Sequence, residues 1–80
     1  MYFVYILKSL NKNWYYVGST EDTSRRLAEH NAGKTRSTKA YAPFKLVYKE
    51  VCTNKTEGRQ RENSIKKNHA LKSALLADIS

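Results

Sequence analysis

Arg26 and His30 stand four residues apart in the run "TSRRLAEHN", so on a helix both side chains leave the same side. A guanidinium with its planar fork of donors, one turn from an imidazole, can hold a phosphate. Arg25 points about 100° away from Arg26 and is better placed for a backbone contact. Glu62 is flanked by Arg59, Arg61 and Lys66, with Gly58 one turn before it and Ile65 marking the inward face of its helix. A carboxylate bordering that face can hold one hard divalent cation, with water and phosphate oxygens completing the shell. Tyr5 and Tyr16 lie in "FVYIL" and "YYVGST", and both can present a phenol. A free phenol has a pKa near 10, so only about one in a thousand is ionised at neutral pH. Work as a base therefore needs a nearby metal or arginine to lower that value.

Each of these groups also has an ordinary reading. Strand tyrosines commonly pack, with only the tip hydrogen-bonded. Arg26 and His30 could be a solvated face with a surface histidine. Glu62 and Lys66 could be a helical ion pair worth roughly tenths of a kcal/mol. The chain has no Gly-rich phosphate loop, no HExxH and no close carboxylate pair of the two-metal kind. Taken together, the tyrosines, Arg26, His30 and Glu62 suit one phosphodiester-cleaving site.

The elements that must position them follow from local pattern. "MYFVYILKS" is dense in β-branched and aromatic residues and reads as a strand apolar on both faces, Tyr2, Val4 and Ile6 on one and Phe3, Tyr5 and Leu7 on the other. "SLNKN" is a turn and "WYYVGS" a second strand, with Gly18 suggesting a bulge or a close approach. A hairpin turning near Leu10 and Asn11 sets Tyr5 almost opposite Tyr16, and a slip of one residue would put them on different faces. "TEDTSRRLAEHNAG" is a helix that Thr20, Asp22 or Thr23 can cap and Gly33 can end, with Leu27 its one large aliphatic residue. "KTRSTKAYAP" is a basic, hydroxyl-rich loop, and "FKLVYKEVC" a third strand in which Glu50 looks cross-strand. Asn54 and Glu57 have capping-box spacing at the start of a polar helix. Leu71, Leu75 and Ile79, beside Leu76, form the stripe of a closing amphipathic helix, with Asp78 terminal. The order β-β-α-β-α-α predicts one α+β domain over residues 1–80, a small, mainly antiparallel three-stranded sheet with flanking helices.

Fifteen Lys and Arg against seven Asp and Glu give a net charge of +8, which draws polyanions. Nucleic acid is the first candidate and an anionic membrane surface the second, against a plain lysine-rich soluble protein. The single cysteine, Cys52, excludes an internal disulfide framework and reads as a buried thiol. No apolar run approaches the roughly 20 residues of a membrane span. The N-terminus has no signal-peptide pattern, so the cytoplasm is expected.

"FVY" at 3–5 followed by "YVG" at 16–18 resembles the two-part signature of the GIY-YIG endonucleases. "RLAEHNAG" and "RENSIKK" fall where that family carries its arginine helix and its metal-binding glutamate. The resemblance runs over about residues 2 to 70 and is closest to small stand-alone bacterial members of the superfamily. It implies signature tyrosines at Tyr5 and Tyr16, one of them activating water. Arg26 would stabilise the phosphate, His30 would assist positioning or proton transfer, and Glu62 would be the sole protein ligand of one Mg²⁺ or Mn²⁺ ion. No small-molecule cofactor is implied. Phe3 replaces the first signature glycine, and Val4 and Val17 stand for isoleucine. Gly58, where a stronger helix former is expected, loosens the glutamate helix by roughly 1 kcal/mol. For a further polar residue that relatives place beside the site, Asn63, Asn68 and Ser64 are the candidates.

The expected partner is nucleic acid, DNA ahead of RNA. Arg25, Lys34, Arg36, Lys39, Lys66 and Lys67 are the candidates for holding its backbone, with little means of reading bases. DNA repair is a fitting setting for such an enzyme. Two other readings stand beside the endonuclease: a module of the same fold that binds nucleic acid without cutting it well, and a basic interaction protein that uses the last helix. That helix has Lys72 and few other positive charges beside its stripe, a poor match to a membrane-surface helix.

Overall fold

The first 20 residues build a hairpin whose pairing sets the geometry of everything above it. The computed structural model describes residues 1–77. Strand β1 runs Tyr2–Ser9 and β2 runs Tyr15–Thr20. Helix α1 spans Thr23–Asn31, β3 spans Phe44–Cys52, and α2 and α3 span Lys55–Lys67 and His69–Ala77. A short 3-10 turn at Lys39–Tyr41 interrupts the basic loop. The sheet is three-stranded and antiparallel, in the order β2-β1-β3, and the fold is the expected α+β arrangement. Asp78 and Ile79 lie outside the described residues.

The central strand is buried on both faces, as its pattern predicts: Val4, Tyr5, Ile6 and Leu7 are all at most 1% exposed. Val4 and Ile6 pack with Val17, Cys52 and Ile65 under α2 and α3, where Leu71, Leu75 and Leu76 close the cluster. Tyr5 and Leu7 pack with Phe44 on the other face, with Leu27 of α1, Trp14, Tyr16 and Tyr41 around them.

The helix ends follow their sequence signals. Asp22, of the three residues that could cap α1, is the one whose side chain accepts from the Arg25 backbone N–H, at 3.0 Å. Gly33 follows the helix in the left-handed region, φ 75°, as a terminating glycine does. Asn54 accepts from the Glu57 N–H, and Glu57 reaches back to the N–H of Thr53, a capping box displaced by one residue.

The hairpin differs from expectation in one respect. Its connection is longer, so Tyr5 pairs with Gly18 and Tyr16 pairs with Leu7. The shift is two residues, which preserves the face, so both tyrosines remain on one side as diagonal neighbours with ring centroids 6.3 Å apart. Gly18 is the position that makes this possible. A Cβ there would sit 2.7 Å from the Tyr5 hydroxyl oxygen, 2.8 Å from Cζ of the same ring and 2.9 Å from Cε2 of Tyr16. Gly58 has a different purpose from loosening its helix: a Cβ there would lie 2.6 Å from the ring of Tyr2, so its bare backbone seats that ring.

Gly18→Ala is therefore expected to destabilise the protein by about 1–3 kcal/mol, the range for overpacking a filled site. Urea denaturation of the two proteins checks this. An unchanged midpoint would mean that the two rings yield freely.

Candidate active site

Four elements converge on a cavity of about 390 Å³ lined by Tyr2 and Tyr5 of β1, Tyr16, Gly18 and Ser19 of β2, Arg26 of α1, and Arg59, Glu62 and Asn63 of α2. Four of the residues singled out from sequence, Tyr5, Tyr16, Arg26 and Glu62, thus share one enclosure. The fifth, His30, is not in the lining. It is fully buried, in contrast to the surface histidine that its polar helix allowed.

His30 stands behind Tyr5. The Thr38 hydroxyl donates to the carbonyl of Thr35 at 3.3 Å, so at 2.8 Å it accepts the Nδ1–H of His30. That fixes the tautomer and leaves Nε2 as an acceptor for the Tyr5 hydroxyl, at 3.4 Å. Burial, and then the charge of Arg26, lower the pKa of His30 from its ordinary 6.5, so the ring is neutral at pH 7. Burial raises the pKa of Tyr5. A hydrogen bond with Arg26 opposes the rise without cancelling it, while Tyr16 and Glu62 add to it. The phenol is thus a neutral group with its proton directed at His30 and its lone pairs toward Arg26.

Arg26 reaches Tyr5 from α1 and also pairs with Glu29 one turn on, Nη1 to Oε1 at 2.5 Å. Glu29 is itself half-buried there. The pairing occupies part of the guanidinium fork and leaves further N–H donors for a ligand.

Glu62 is held on both oxygens. The Ser19 hydroxyl donates to Oε1 at 2.6 Å and the Lys66 ammonium to Oε2 at 2.6 Å. The helical ion pair and the cavity-facing carboxylate are therefore the same group. The neighbouring Arg61 is turned away, its Nε bound to both oxygens of Glu50 at 3.0 and 3.1 Å. Glu50 accordingly ties β3 to α2 and is not merely a cross-strand charge.

Among the described residues no group of three or more His, Cys, Asp or Glu converges as a metal site. The donor set suits a cation that asks for less. Mg²⁺ and Mn²⁺ bind through one or two carboxylates and complete their shells with water and substrate oxygens. Glu62, on a polar cavity with room for both, meets that requirement.

Ser19, Tyr2 and Arg59 were not legible as site residues. Ser19 follows Gly18 in a strand, where a hydroxyl carries no signal until its cross-element partner is known. Asn63 is the one of three polar candidates that reaches the cavity. Asn68 instead caps α3 by accepting the Leu71 N–H, and the Ser64 hydroxyl bonds back to the carbonyl of Gln60. Of the basic residues expected to hold a backbone, Arg25, Lys34, Arg36, Lys39 and Lys67 are exposed and away from the cavity lining, and Lys66 is engaged by Glu62.

Comparison with known proteins gives the arrangement a family. The GIY-YIG catalytic domain matches residues 1–73. A UPF0213 protein of Staphylococcus haemolyticus is 42% identical over 66 residues, 81% of this chain and 79% of its own length. A UPF0213 protein of Natronomonas pharaonis is 37% identical over 79 residues, 96% of this chain and 92% of its own. The solution NMR structure of a UPF0213 protein from Bacillus halodurans is similar with a TM-score of 0.56 at 30% identity, over 99% of this chain and 84% of that one. Since the family match runs unbroken through both tyrosine strands, the arginine helix and the glutamate helix, the chain belongs to the GIY-YIG catalytic domain family.

Proposed function

We propose that the cavity is the active site of a metal-dependent endonuclease that hydrolyses phosphodiester bonds, in DNA before RNA. The observation that carries this reading is that Tyr5, Tyr16, Arg26 and Glu62 meet at one cavity although they are drawn from four separate elements. Family membership supports the reaction class. Exposed Lys34, Arg36 and Lys39 on the loop after α1, with Arg25 and Lys67, supply charge for a nucleic-acid backbone. Among the described residues no helix is long and apolar enough to cross a membrane.

Arg26 would take the non-bridging oxygens of the scissile phosphate and stabilise them as negative charge develops. Glu62, aimed by Ser19, would hold one Mg²⁺ or Mn²⁺ ion, which when bound lends positive charge to the phosphate oxygens. Tyr5 would accept the proton of the attacking water on a lone pair while its own proton passes to Nε2 of His30. As the water oxygen bonds to phosphorus, the P–O bond to the leaving sugar oxygen would break, and that oxygen would take its proton from solvent. This relay ends on an imidazolium and needs no free phenolate, the form that burial disfavours. His30 acts through Tyr5, consistent with its place behind the lining. Tyr16 walls the cavity beside it, 4.8 Å from the His30 ring by centroids, and restricts where water can stand.

Labelled single-stranded, duplex and branched DNA, with RNA alongside, tests the reading in Mg²⁺ or Mn²⁺. Wild type is expected to cut and Glu62→Ala to lose cutting while still binding. Equal binding with no cutting by either protein would instead indicate a module that only holds nucleic acid.

The relay also has a pH signature. His30 must be neutral to accept a proton, and its pKa is depressed below 6.5, so the path is open above that pH and closes as pH falls through the depressed value. kcat/KM measured from pH 5 to 9 is expected to level off above about 6.5. His30→Ala should cost about 100-fold on that plateau, the usual worth of a positioned proton acceptor. A rate rising tenfold per pH unit up to pH 9 would contradict the relay and point to an ionised base.

A further inference from the structure

We propose that Lys66 is an internal cation that holds one oxygen of Glu62 until a divalent ion takes its place. The inference rests on the reading of Glu62 as the metal-holding residue.

The geometry gives Glu62 two unlike partners. Ser19 on Oε1 is neutral and comes from β2, whereas Lys66 on Oε2 is charged and comes from the next turn of α2. Glutamate preceding lysine by four is the favourable order on a helix, so the pair forms without help from the rest of the fold. The lysine side chain is 44% exposed against 19% for Glu62, so it is the partner free to leave. Its ammonium also lies 5.9 Å from the centroid of the Tyr16 ring, a residue that lines the cavity.

An ammonium 2.6 Å from Oε2 occupies the space that a divalent ion on that oxygen would need, and two cations so close repel. Metal binding must therefore displace Lys66. The bond from Ser19 has no charge to be displaced, so Glu62 keeps its aim as its other partner changes. Before metal arrives, Lys66 prevents the half-buried carboxylate from standing unpaired and from repelling an incoming phosphate. After exchange its ammonium is released beside the cavity, where a substrate phosphate would lie. Lys66 is in this account a positioning residue whose effect falls on metal affinity.

Free Mn²⁺ counted by electron paramagnetic resonance, at low salt and without nucleic acid, tests this with three proteins. Lys66→Met keeps most of the stem and removes the competitor. It is expected to bind Mn²⁺ about two- to five-fold more tightly than wild type, the competition of one partly exposed ion pair. Glu62→Gln is expected to lose the binding. If Lys66→Met binds as wild type or more weakly while Glu62→Gln loses the ion, the exchange is overturned and the metal reading stands. Mn²⁺ binding that survives Glu62→Gln, or that neither wild type nor Lys66→Met displays, overturns the metal reading and this inference with it.

Discussion

Tyr5 lies across a backbone with no side chain in its way, and the site is built on that contact. It faces Gly18 in the hairpin, its hydroxyl and ring passing so close that a Cβ would fall inside van der Waals distance of both tyrosines. Because the partner is bare, a residue of the central strand can carry a polar tip out of the core to Arg26 on one side and His30 on another. Gly58 repeats the device on α2, where the ring of Tyr2 occupies the space and reaches the same cavity. In a chain of 80 residues, whose core is thin, such contacts let packing and chemistry use the same side chains.

The electrostatics follow from this placement. Burial of the Tyr5–His30 pair works against both charged forms, raising the pKa of one and lowering that of the other. The buried histidine remains affordable because each ring nitrogen has a partner, and no buried side-chain polar atom among the described residues lacks one. The positive charge of Arg26 is thereby kept next to two neutral groups and one half-buried carboxylate, that of Glu29, and retains its reach for an anion. Glu62 is balanced in the opposite sense, by a lysine that solvent can reclaim.

The element order was legible because each strand and helix carries its own local signal: the apolar β1, the capping Asp22, the Asn54–Glu57 spacing and the turn of Gly33. The pairing of Tyr5 with Gly18 was not, since hairpin register depends on how many residues the loop consumes and "SLNKN" fits more than one length. The two-residue error left the faces intact, and so the shared site of Tyr5 and Tyr16 survived it. His30 was recognised by its spacing from Arg26, but its burial depends on Thr38, eight residues on in a loop with no periodic signal. Ser19 was missed because its partner is 43 residues away in sequence. Asn63, Asn68 and Ser64 could not be told apart until helix phase and the break between α2 and α3 were known.

A titration followed by nuclear magnetic resonance tests most directly whether this cavity receives a phosphodiester. The ¹⁵N-labelled protein would be mixed with a short DNA strand in Ca²⁺, a poor catalytic substitute that allows binding without turnover. The largest shifts are expected at the backbone amides of Tyr5, Gly18, Ser19, Arg26 and Glu62, with smaller ones along Lys34, Arg36 and Lys39. Shifts confined to the basic loop, with the cavity amides unmoved, would contradict phosphodiester binding in the cavity.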